Sequence, residues 1–244
     1  DVGVGLANLL TTLNNRGITV LTGCDDGYPD HLRDRLRTAA PPLLYLAGDP
    51  EFLKIQGIGV VGSRDVSPEG GQIAKDAATW AVTEGMPLVS GGARGVDQLS
   101  MAAAFEAGGN VVGVLADSLE KTLSNAENRS AVSNGRALLC TPYNPSSGFS
   151  VGNAMGRNKI IYGLSKATLV VSTDEGSGGT WAGATDAIKR KFGAVAVWRG
   201  AGEGSGNEPL VKFGAIPIET VEQLEDIEPI SPTIFEQPSL RLDL

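Results

Sequence analysis

Residues 57–64 read GIGVVGSR, and the division of this stretch between strand and loop decides the fold. Its three glycines match the G-x-G-x-x-G pattern of dinucleotide-binding loops, which holds a pyrophosphate only where the first glycine ends a strand and the third begins a helix. Here the apolar run 58–61 lies inside the pattern, so we expect a strand through Val61 and a turn from Gly62. No acidic residue stands at a strand end about 20 residues later to bind a ribose. We therefore interpret the match as coincidence and predict no cofactor, neither NAD nor FAD.

Short apolar segments alternate with helical patterns from this strand onward. The predicted strands are 58–61, 87–90, 110–115, 137–140, 168–172 and 194–198, and the predicted helices are 67–84, 97–107, 118–134, 152–164 and 180–191. This alternation is typical of parallel βαβ units, whose right-handed crossovers place helices on both faces of an open sheet. The sequence thus predicts the α/β class and a doubly wound, mostly parallel sheet.

The chain divides into three predicted segments. Residues 1–53 have the pattern of a small helical lead-in that ends in a strand. Residues 54–228 hold the doubly wound domain, with a glycine-rich loop at 200–210 and one last strand and short helix in 215–227. Residues 229–244 are acidic and contain proline, so we predict a mobile C-terminal tail.

The net charge of −8 is unevenly distributed along the chain. Residues 54–199 carry 14 basic and 12 acidic residues, whereas residues 200–244 carry 2 basic and 9 acidic ones. Because the acidity is concentrated at the end of the chain, the central region can present a basic face to a polyanion. The alternative is an acidic end that serves only solubility.

Histidine, cysteine and long apolar runs are scarce. His31 is the single histidine, which argues against His-based catalytic triads and multi-His metal sites. Cys24 and Cys140 have neither metal-ligand spacing nor a disulfide framework, so we predict no metal site and a reducing, cytoplasmic setting. No apolar run approaches the roughly 18 residues of a membrane helix, and no signal peptide is visible in a chain that begins at Asp1 without Met. We expect no membrane contact.

Polar, glycine-rich loops follow the predicted strands, at the sheet edge where doubly wound folds bind ligands. Backbone amides, arginines and the positive ends of helices are suited to phosphate groups. The predicted phosphate-binding residues are Gly62, Ser63, Arg64, Ser90, Gly91, Gly92, Arg94, Gly95, Arg157, Asn158, Lys159, Ser177, Gly178, Gly179 and Thr180. The alternative is a set of tight structural turns in which Asp97 caps a helix.

These loops, in their order and spacing, resemble motifs of the DprA/Smf DNA-processing family. The matching segments are VVGSR at 60–64, LVSGGARGVD at 88–97, GRNKIIYGLSKATLVVS at 156–172 and GSGGTWAGATDAI at 176–188, with a similar lead-in, YPDHLRDRLRTAAPPLLYLAGDP, at 28–50. The resemblance covers residues 28–198. It implies an extended Rossmann-like domain at 54–228 that binds single-stranded DNA, forms a homodimer and hands DNA to a RecA-type recombinase during natural transformation. The wider superfamily also contains LOG-type nucleotide phosphoribohydrolases and nucleotide sensors.

The sequence departs from the family pattern at several points. Met101 stands where the family usually has a His, and residues 154–158 read AMGRN instead of Phe-Pro-x-Arg-Asn. Residues 177–183 read SGGTWAG in place of Ser-Gly-x-x-x-Thr-Ala. The segment after Gly200 is shorter than the winged-helix domain with which many members end. These departures indicate a divergent member of the family.

A DNA-binding module is the favoured function. Phosphates would lie on Ser63, Arg64, Arg94 and the loop 177–180, with Lys159 or Lys166 nearby, and binding would be tolerant of sequence and sensitive to salt. Single-strand binders also stack bases on aromatic rings. The candidate rings are those of Tyr143, Phe149, Tyr162 and Trp181, each of which is more often a core residue.

Two alternatives use the same loops. A LOG-type hydrolase needs a carboxylate just after Thr180, where Trp181 follows instead, so we predict that the protein is not an enzyme. A sensor that binds a small nucleotide is the second alternative. Titrations with oligo-dT and with a panel of nucleotides separate the sensor from the DNA-binding module.

Overall fold

A single sheet built from distant parts of the chain organises the protein. The computed structural model describes residues 2–230, and the acidic tail predicted at 229–244 lies outside them except for its first two positions. The strands are β1 (Thr19–Thr22), β2 (Leu43–Ala47), β3 (Gly57–Val61), β4 (Leu88–Ser90), β5 (Val111–Val114), β6 (Ala137–Thr141), β7 (Ser165–Val170), β8 (Ala194–Trp198) and β9 (Ile216–Ile218). Their order across the sheet is β1-β2-β6-β5-β4-β3-β7-β8-β9.

The central part of this sheet is parallel. Strands β3 to β9 follow the doubly wound pattern, in which β4, β5 and β6 lie to one side of β3 and β7, β8 and β9 to the other. The lead-in strands β1 and β2 add an antiparallel edge beside β6. The predicted α/β class and the mostly parallel, doubly wound sheet are confirmed.

The stretch GIGVVGSR divides as the sequence predicts, because β3 runs through Val61 and the turn begins at Gly62. Gly59 lies in the middle of the strand, where an added Cβ would come within 2.5 Å of the Thr168 hydroxyl on β7. An added Cβ at Gly57 would overlap the Pro87 carbonyl. Both glycines therefore allow close packing of the chain and do not form a pyrophosphate loop.

Helices cover both faces of the sheet. They are α1 (Val2–Asn15), α2 (Asp30–Leu36), α3 (Pro68–Thr83), α4 (Val96–Glu106), α5 (Leu119–Ser124), α6 (Ala126–Ser133), α7 (Val151–Leu164), α8 (Gly178–Arg190) and α9 (Asn207–Phe213), with 3₁₀ turns at Arg37–Ala39, Pro50–Lys54 and Val221–Leu224. Helices α2, α7, α8 and α9 share one apolar core with the sheet, and α3 and α4 share another on the opposite face. The predicted start of α3 is confirmed, since the Ser67 hydroxyl accepts a hydrogen bond from the Gly70 amide and Pro68 is the first helical residue.

Two predicted elements are wrong in detail. The helix predicted at 118–134 is two helices, because Asn125 leaves helical geometry and its side chain caps α6 by accepting from the amides of Glu127 and Asn128. The loop predicted at 200–210 already contains the start of α9. The buried Asn207 fixes that start by donating to the carbonyl oxygens of Val171 and Trp198.

The lead-in is tied to the main sheet by a buried arginine. Arg35 on α2 is 6% exposed, and its guanidinium donates to the carbonyl oxygens of Gly163 (3.1 Å) and Ser165 (2.6 Å) at the end of α7. A third hydrogen bond joins it to the Gln56 side chain at 2.6 Å. Since α7 carries part of the candidate site, the lead-in helps to fix where that site stands. None of the helices in residues 2–230 combines the length and apolar character needed to cross a membrane.

Candidate functional site

A cleft of about 630 Å³ opens at the carboxyl ends of β3 and β7. The strand order reverses between these two strands, which is the position where doubly wound sheets bind ligands. One wall is the turn 62–64 after β3, a second is the loop 173–180 between β7 and α8, and a third is the first half of α7. Two of the predicted loops and the predicted α7 residues Arg157 and Asn158 therefore meet at one place.

Gly62 joins the first two walls. Its carbonyl oxygen accepts a hydrogen bond from the Thr180 hydroxyl at 2.9 Å. An added Cβ at Gly62 would come within 2.6 Å of Val96, so only glycine lets the turn approach α4 this closely. The neighbouring Ser63 accepts a backbone hydrogen bond from the Val96 amide at 3.2 Å. Gly62 and Thr180 thus brace the site.

The start of α8 presents backbone amides to the cleft. Ser177 is its N-cap residue, and its side chain makes no capping hydrogen bond. The Ser177 hydroxyl therefore does not occupy the first backbone amides of the helix. Gly178 and Gly179 are exposed cleft-lining residues, and nothing within 4 Å would meet a Cβ at either position. The positive end of the helix dipole lies at the same point. This wall has the chemistry of an anion site.

The loop between β4 and α4 encloses a carboxylate of its own. Asp97 does not cap α4, whose N-cap residue is Gly95. The Asp97 carboxylate instead accepts hydrogen bonds from the amides of Gly91 (3.1 Å) and Ala93 (3.3 Å). Those two amides are therefore already occupied by an internal anion. Of this loop, Ala93 and Asp97 line the cleft.

Four other residues of this loop that were predicted to bind phosphate, at positions 90, 92, 94 and 95, are not part of the cleft lining. Ser90 is buried and donates to the Val60 carbonyl at 2.7 Å, and Gly92 has a positive φ of 69°. Arg94 forms an exposed ion pair with Asp65 at 2.6 Å. An added Cβ at Gly95 would meet the backbone of the turn after β3. Their predicted phosphate contacts stay predictions.

Arg157 lies beneath the cleft and is 5% exposed. Its guanidinium donates to the Val114 carbonyl oxygen at the end of β5 and occupies the space that a Cβ at Gly91 would need. Burial lowers the pKa of Arg157, and the nearby Asp97 opposes that shift. Burial raises the pKa of Asp97 to about 6, against the opposing effects of Arg157 and of the amides that the carboxylate accepts from. Arg157 and Asp97 form a buried charged floor.

Asn158, Lys159 and Lys166 lie at different distances from the cleft. The Asn158 side-chain amide donates to the Gly179 carbonyl at 3.1 Å and joins α7 to the start of α8. Lys159 is half-buried outside the cleft lining, near Asp186 and Arg190 of α8. Lys166 donates to the Glu225 carbonyl at 2.8 Å. Of these three side chains, the structure brings Asn158 to the cleft.

An exposed apolar rim faces the polar walls. Phe149, Val151 and Met155 line the cleft and are 51%, 68% and 51% exposed. The Arg64 guanidinium lies over the Phe149 ring, 5.5 Å from its centroid. Sequence reasoning missed Val151 and Met155. Their signal was a pair of large apolar side chains four residues apart at a helix start whose other residues are small or polar.

The remaining predicted aromatic residues are partly or wholly structural. Tyr162 is buried in the core, and Tyr143 donates its hydroxyl to the Asn153 carbonyl at 2.9 Å. Trp181 lines the cleft while its ring packs edge-to-face on Phe213 with centroids 5.6 Å apart. Phe149 is therefore the aromatic candidate with the most exposed ring.

Solved structures with the same fold support this description of the architecture. The chain aligns with the X-ray structure of DNA processing protein A from Streptococcus pneumoniae with a TM-score of 0.76 and 23% identity, over 91% of this chain and 78% of that one. It aligns with DNA processing protein A from Helicobacter pylori with a TM-score of 0.67 and 23% identity, over 86% of this chain and 97% of that one. At this level of identity the likeness shows the fold.

Sequence comparisons extend from fold to family. The chain is 29% identical to DNA processing protein DprA of Bacillus subtilis over 175 residues, which is 71% of this chain and 58% of that protein. It is 30% identical to DNA processing protein DprA of Streptococcus pneumoniae over 156 residues, 63% of this chain and 54% of that protein. The chain thus spans about half the length of the curated relatives it matches. The model of the DNA recombination-mediator protein A family matches residues 19–228, and the chain belongs to that family, the DprA/Smf proteins.

Proposed function

We propose that the cleft binds the phosphate backbone of single-stranded DNA without regard to sequence. The observation that carries this proposal is the meeting of Arg64 and the amide-bearing start of α8 at the switch point between β3 and β7. A planar guanidinium and a helix N-terminus both suit phosphate oxygens. The Helicobacter pylori relative is described as having a single-stranded DNA binding mode, which supports the same ligand here.

The apolar rim supplies the second half of a single-strand site. Single-strand binders combine a cationic groove for the backbone with rings on which bases stack. In this cleft, loop 177–180 and Arg64 offer polar groups, and Phe149 and Met155 offer apolar ones, with Arg64 next to the Phe149 ring. A strand in the cleft would place its phosphates on the polar groups and its bases on the apolar side chains.

A small nucleotide is the second candidate ligand. The cleft volume of about 630 Å³ lies within the range of roughly 300–1,000 Å³ that is usual for small-molecule sites. A nucleotide offers the same phosphate and base as one unit of a DNA strand, so the same walls would bind it. Affinity for a polymer compared with its monomer separates the two candidates.

The test is a pair of titrations by fluorescence anisotropy. Labelled oligo-dT is titrated at several salt concentrations, and unlabelled nucleotides then compete with it. We expect the logarithm of the affinity for oligo-dT to fall with the logarithm of the salt concentration, with a slope of roughly −0.7 for each phosphate contacted. An affinity that does not change between low and moderate salt contradicts the proposal. Competition by a mononucleotide at the concentration at which oligo-dT competes favours the sensor instead.

Nucleotide hydrolysis is not expected. The residues after Thr180, where LOG-type enzymes resembling this loop need a carboxylate, are Trp181 and Ala182, and both face the cleft. A buried Asp97 already engaged by two amides is poorly placed to help a departing base. Release of free base from nucleoside monophosphates at about 1 per second or faster would contradict this expectation.

The cellular role extends this proposal to other proteins. A recombination-mediator family suggests that the chain hands single-stranded DNA to a RecA-type recombinase in the cytoplasm, during natural transformation or recombination, and that it acts as a homodimer. Light scattering of the purified protein tests the dimer. Strand exchange by RecA on DNA coated with a single-strand-binding protein, with and without this chain, tests the mediator role.

A further inference from the structure

Helices α7 and α8 both begin at the cleft, and we call the surface between them the α7–α8 groove. Met155 lines the cleft, and Lys159 follows it by four residues on α7. Ala182 also lines the cleft, and Asp186 and Arg190 follow it at intervals of four residues on α8. Residues four apart lie on the same face of a helix, so both rows continue from the cleft along the same pair of helices.

The two helices approach closely at the head of this groove. The Asn158 side chain donates to the Gly179 carbonyl at 3.1 Å. An added Cβ at Gly183 would come within 2.9 Å of the same Asn158 side chain. At 1.5 Å of rise per residue, Lys159 lies about 6 Å along α7 from Met155, and Arg190 lies about 12 Å along α8 from Ala182.

Cations outnumber the carboxylate that faces them in the groove. Arg190 is paired with Asp186 at 2.8 Å, and its guanidinium lies 5.8 Å from the centroid of the Phe192 ring. Within residues 2–230, no ion pair holds Lys159. Burial and then the repulsion of Arg190 lower the pKa of Lys159, and the attraction of Asp186 opposes that shift. A site that keeps two cations close together with one carboxylate attracts a further anion.

Helix dipoles do not account for this arrangement. Lys189 and Arg190 occupy the last turn of α8, where cations commonly offset the negative end of the helix. Lys159 lies in the middle of α7, where that effect is absent. Its position beside Arg190 therefore calls for another explanation.

We propose that a single strand leaving the cleft runs along the α7–α8 groove and that its phosphate backbone contacts Lys159 and Arg190. This inference rests on the proposed function of the cleft, which would then be the first part of a longer binding track. The groove makes no base contacts by this proposal, since its exposed groups are charged side chains. A longer strand should therefore gain affinity from the groove, and a short one should not.

The test compares two lengths of labelled oligo-dT, about 4 and about 16 nucleotides, which span the site sizes usual for single-strand binders. The variants are Lys159→Ala, Arg190→Ala and their combination. The control is Lys75→Ala, which removes one exposed cation from α3 on the opposite face of the sheet. For the longer oligonucleotide we expect about a fivefold loss of affinity for each groove cation removed and a salt slope shallower by about 0.7 for each. Asp186→Asn should strengthen binding of the longer oligonucleotide.

The two proposals fail in different ways. If the combined variant loses no more affinity for the longer strand than Lys75→Ala does, or loses as much for the shorter strand, the groove proposal is wrong while the cleft proposal stands. If the wild-type protein binds neither length, the cleft proposal is wrong and the groove proposal falls with it. Thermal melts of each variant show whether a loss of binding reflects a loss of fold.

Discussion

The carboxylate of Asp97 accepts a hydrogen bond from the backbone amide of Gly91 at 3.1 Å, across the loop that connects β4 to α4. The Ala93 amide donates to the same carboxylate at 3.3 Å. An internal carboxylate thus fills a loop whose glycines, read from sequence, suggest a site for an external anion. Our proposal therefore places the binding of an external anion at the ends of β3 and β7, next to this loop.

The buried carboxylate should make stability depend on pH. The pKa of Asp97 is raised from 3.8 to about 6, so the folded protein binds this proton more tightly than the unfolded chain does. The stabilising contribution is complete below about pH 4 and is lost as the pH rises through about 6, a change on the order of 3 kcal/mol. Asp97→Asn removes this dependence. Urea denaturation midpoints of both proteins across this range measure it.

His31 also makes stability depend on pH, so the wild-type protein has to be compared with Asp97→Asn. Burial lowers the pKa of His31 from 6.5 to about 4, so its contribution is present above about pH 6.5 and lost as the pH falls through about 4. The two groups act in opposite directions over the same range and partly cancel in the wild-type protein. The difference between wild type and Asp97→Asn isolates the carboxylate. A difference that stays constant from pH 4 to 7 would show that Asp97 titrates normally.

Gly91→Ala should damage the site through Arg157. An added methyl group would occupy the space of the Arg157 guanidinium, which is buried and hydrogen-bonded to the Val114 carbonyl. We expect a loss of about 1–3 kcal/mol in the free energy of unfolding, together with weaker binding of oligo-dT. The matched control is Gly152→Ala in the first turn of α7, where the nearest atom that the methyl group would meet is 3.9 Å away. Equal stability of the two variants would contradict the assignment.

The sequence reveals the doubly wound class of the sheet and the edge where the cleft lies more fully than it reveals the contacts within the cleft. β3 and its turn were predictable, because the apolar run 58–61 indicates a strand and the polar residues that follow Gly62 indicate a loop. Helix α9 was not, because its start depends on Asn207 reaching the carbonyl of Trp198 and that of Val171, which lies 36 residues earlier in the chain. The hydrogen bonds from the amides of Gly91 and Ala93 to Asp97 are local, but the sequence does not show that this carboxylate turns into its own loop instead of capping α4.

Arg35→Met should destabilise the whole fold. The substitution removes a buried guanidinium and leaves the carbonyl oxygens of Gly163 and Ser165 without that donor. An unpaired buried carbonyl costs about 1–3 kcal/mol, so we expect a loss in this range or somewhat above it. Lys54→Ala, which breaks an exposed ion pair with Glu51, is the control and should cost less than about 1 kcal/mol. Chemical denaturation of both variants decides whether the lead-in is fixed through Arg35.

Phe149→Ala should weaken DNA binding and leave the fold intact. The ring is 51% exposed, so its removal costs little packing. Stacking of a base on an aromatic side chain contributes roughly 1–3 kcal/mol, and we expect a loss of that size for oligo-dT. Leu6→Ala, which truncates an apolar side chain of α1 that is 55% exposed, serves as control. Binding by Phe149→Ala that matches the control would remove Phe149 from the site.

Arg64 offers the sharpest test of how GIGVVGSR is used. Were this stretch a nicotinamide fingerprint, its glycines would face a pyrophosphate and Arg64 would be incidental. The structure instead places two of those glycines in β3 and Arg64 on the cleft wall, over the Phe149 ring. The neighbouring Asp65 forms its ion pair with Arg94 and not with Arg64. Arg64→Ala should therefore barely change the melting temperature.

Binding should respond strongly to the same substitution. A hydrogen bond between charged groups contributes about 1.5–3 kcal/mol, so Arg64→Ala should weaken binding of oligo-dT by that amount. Arg64→Lys should restore only part of it, because an ammonium group lacks the planar fork that matches two phosphate oxygens. Lys75→Ala, with an equal change in net charge on the far face, controls for long-range electrostatics. Anisotropy titrations measure all three, and unchanged binding by Arg64→Ala, or binding of NAD by the wild-type protein, would overturn this assignment of the loop.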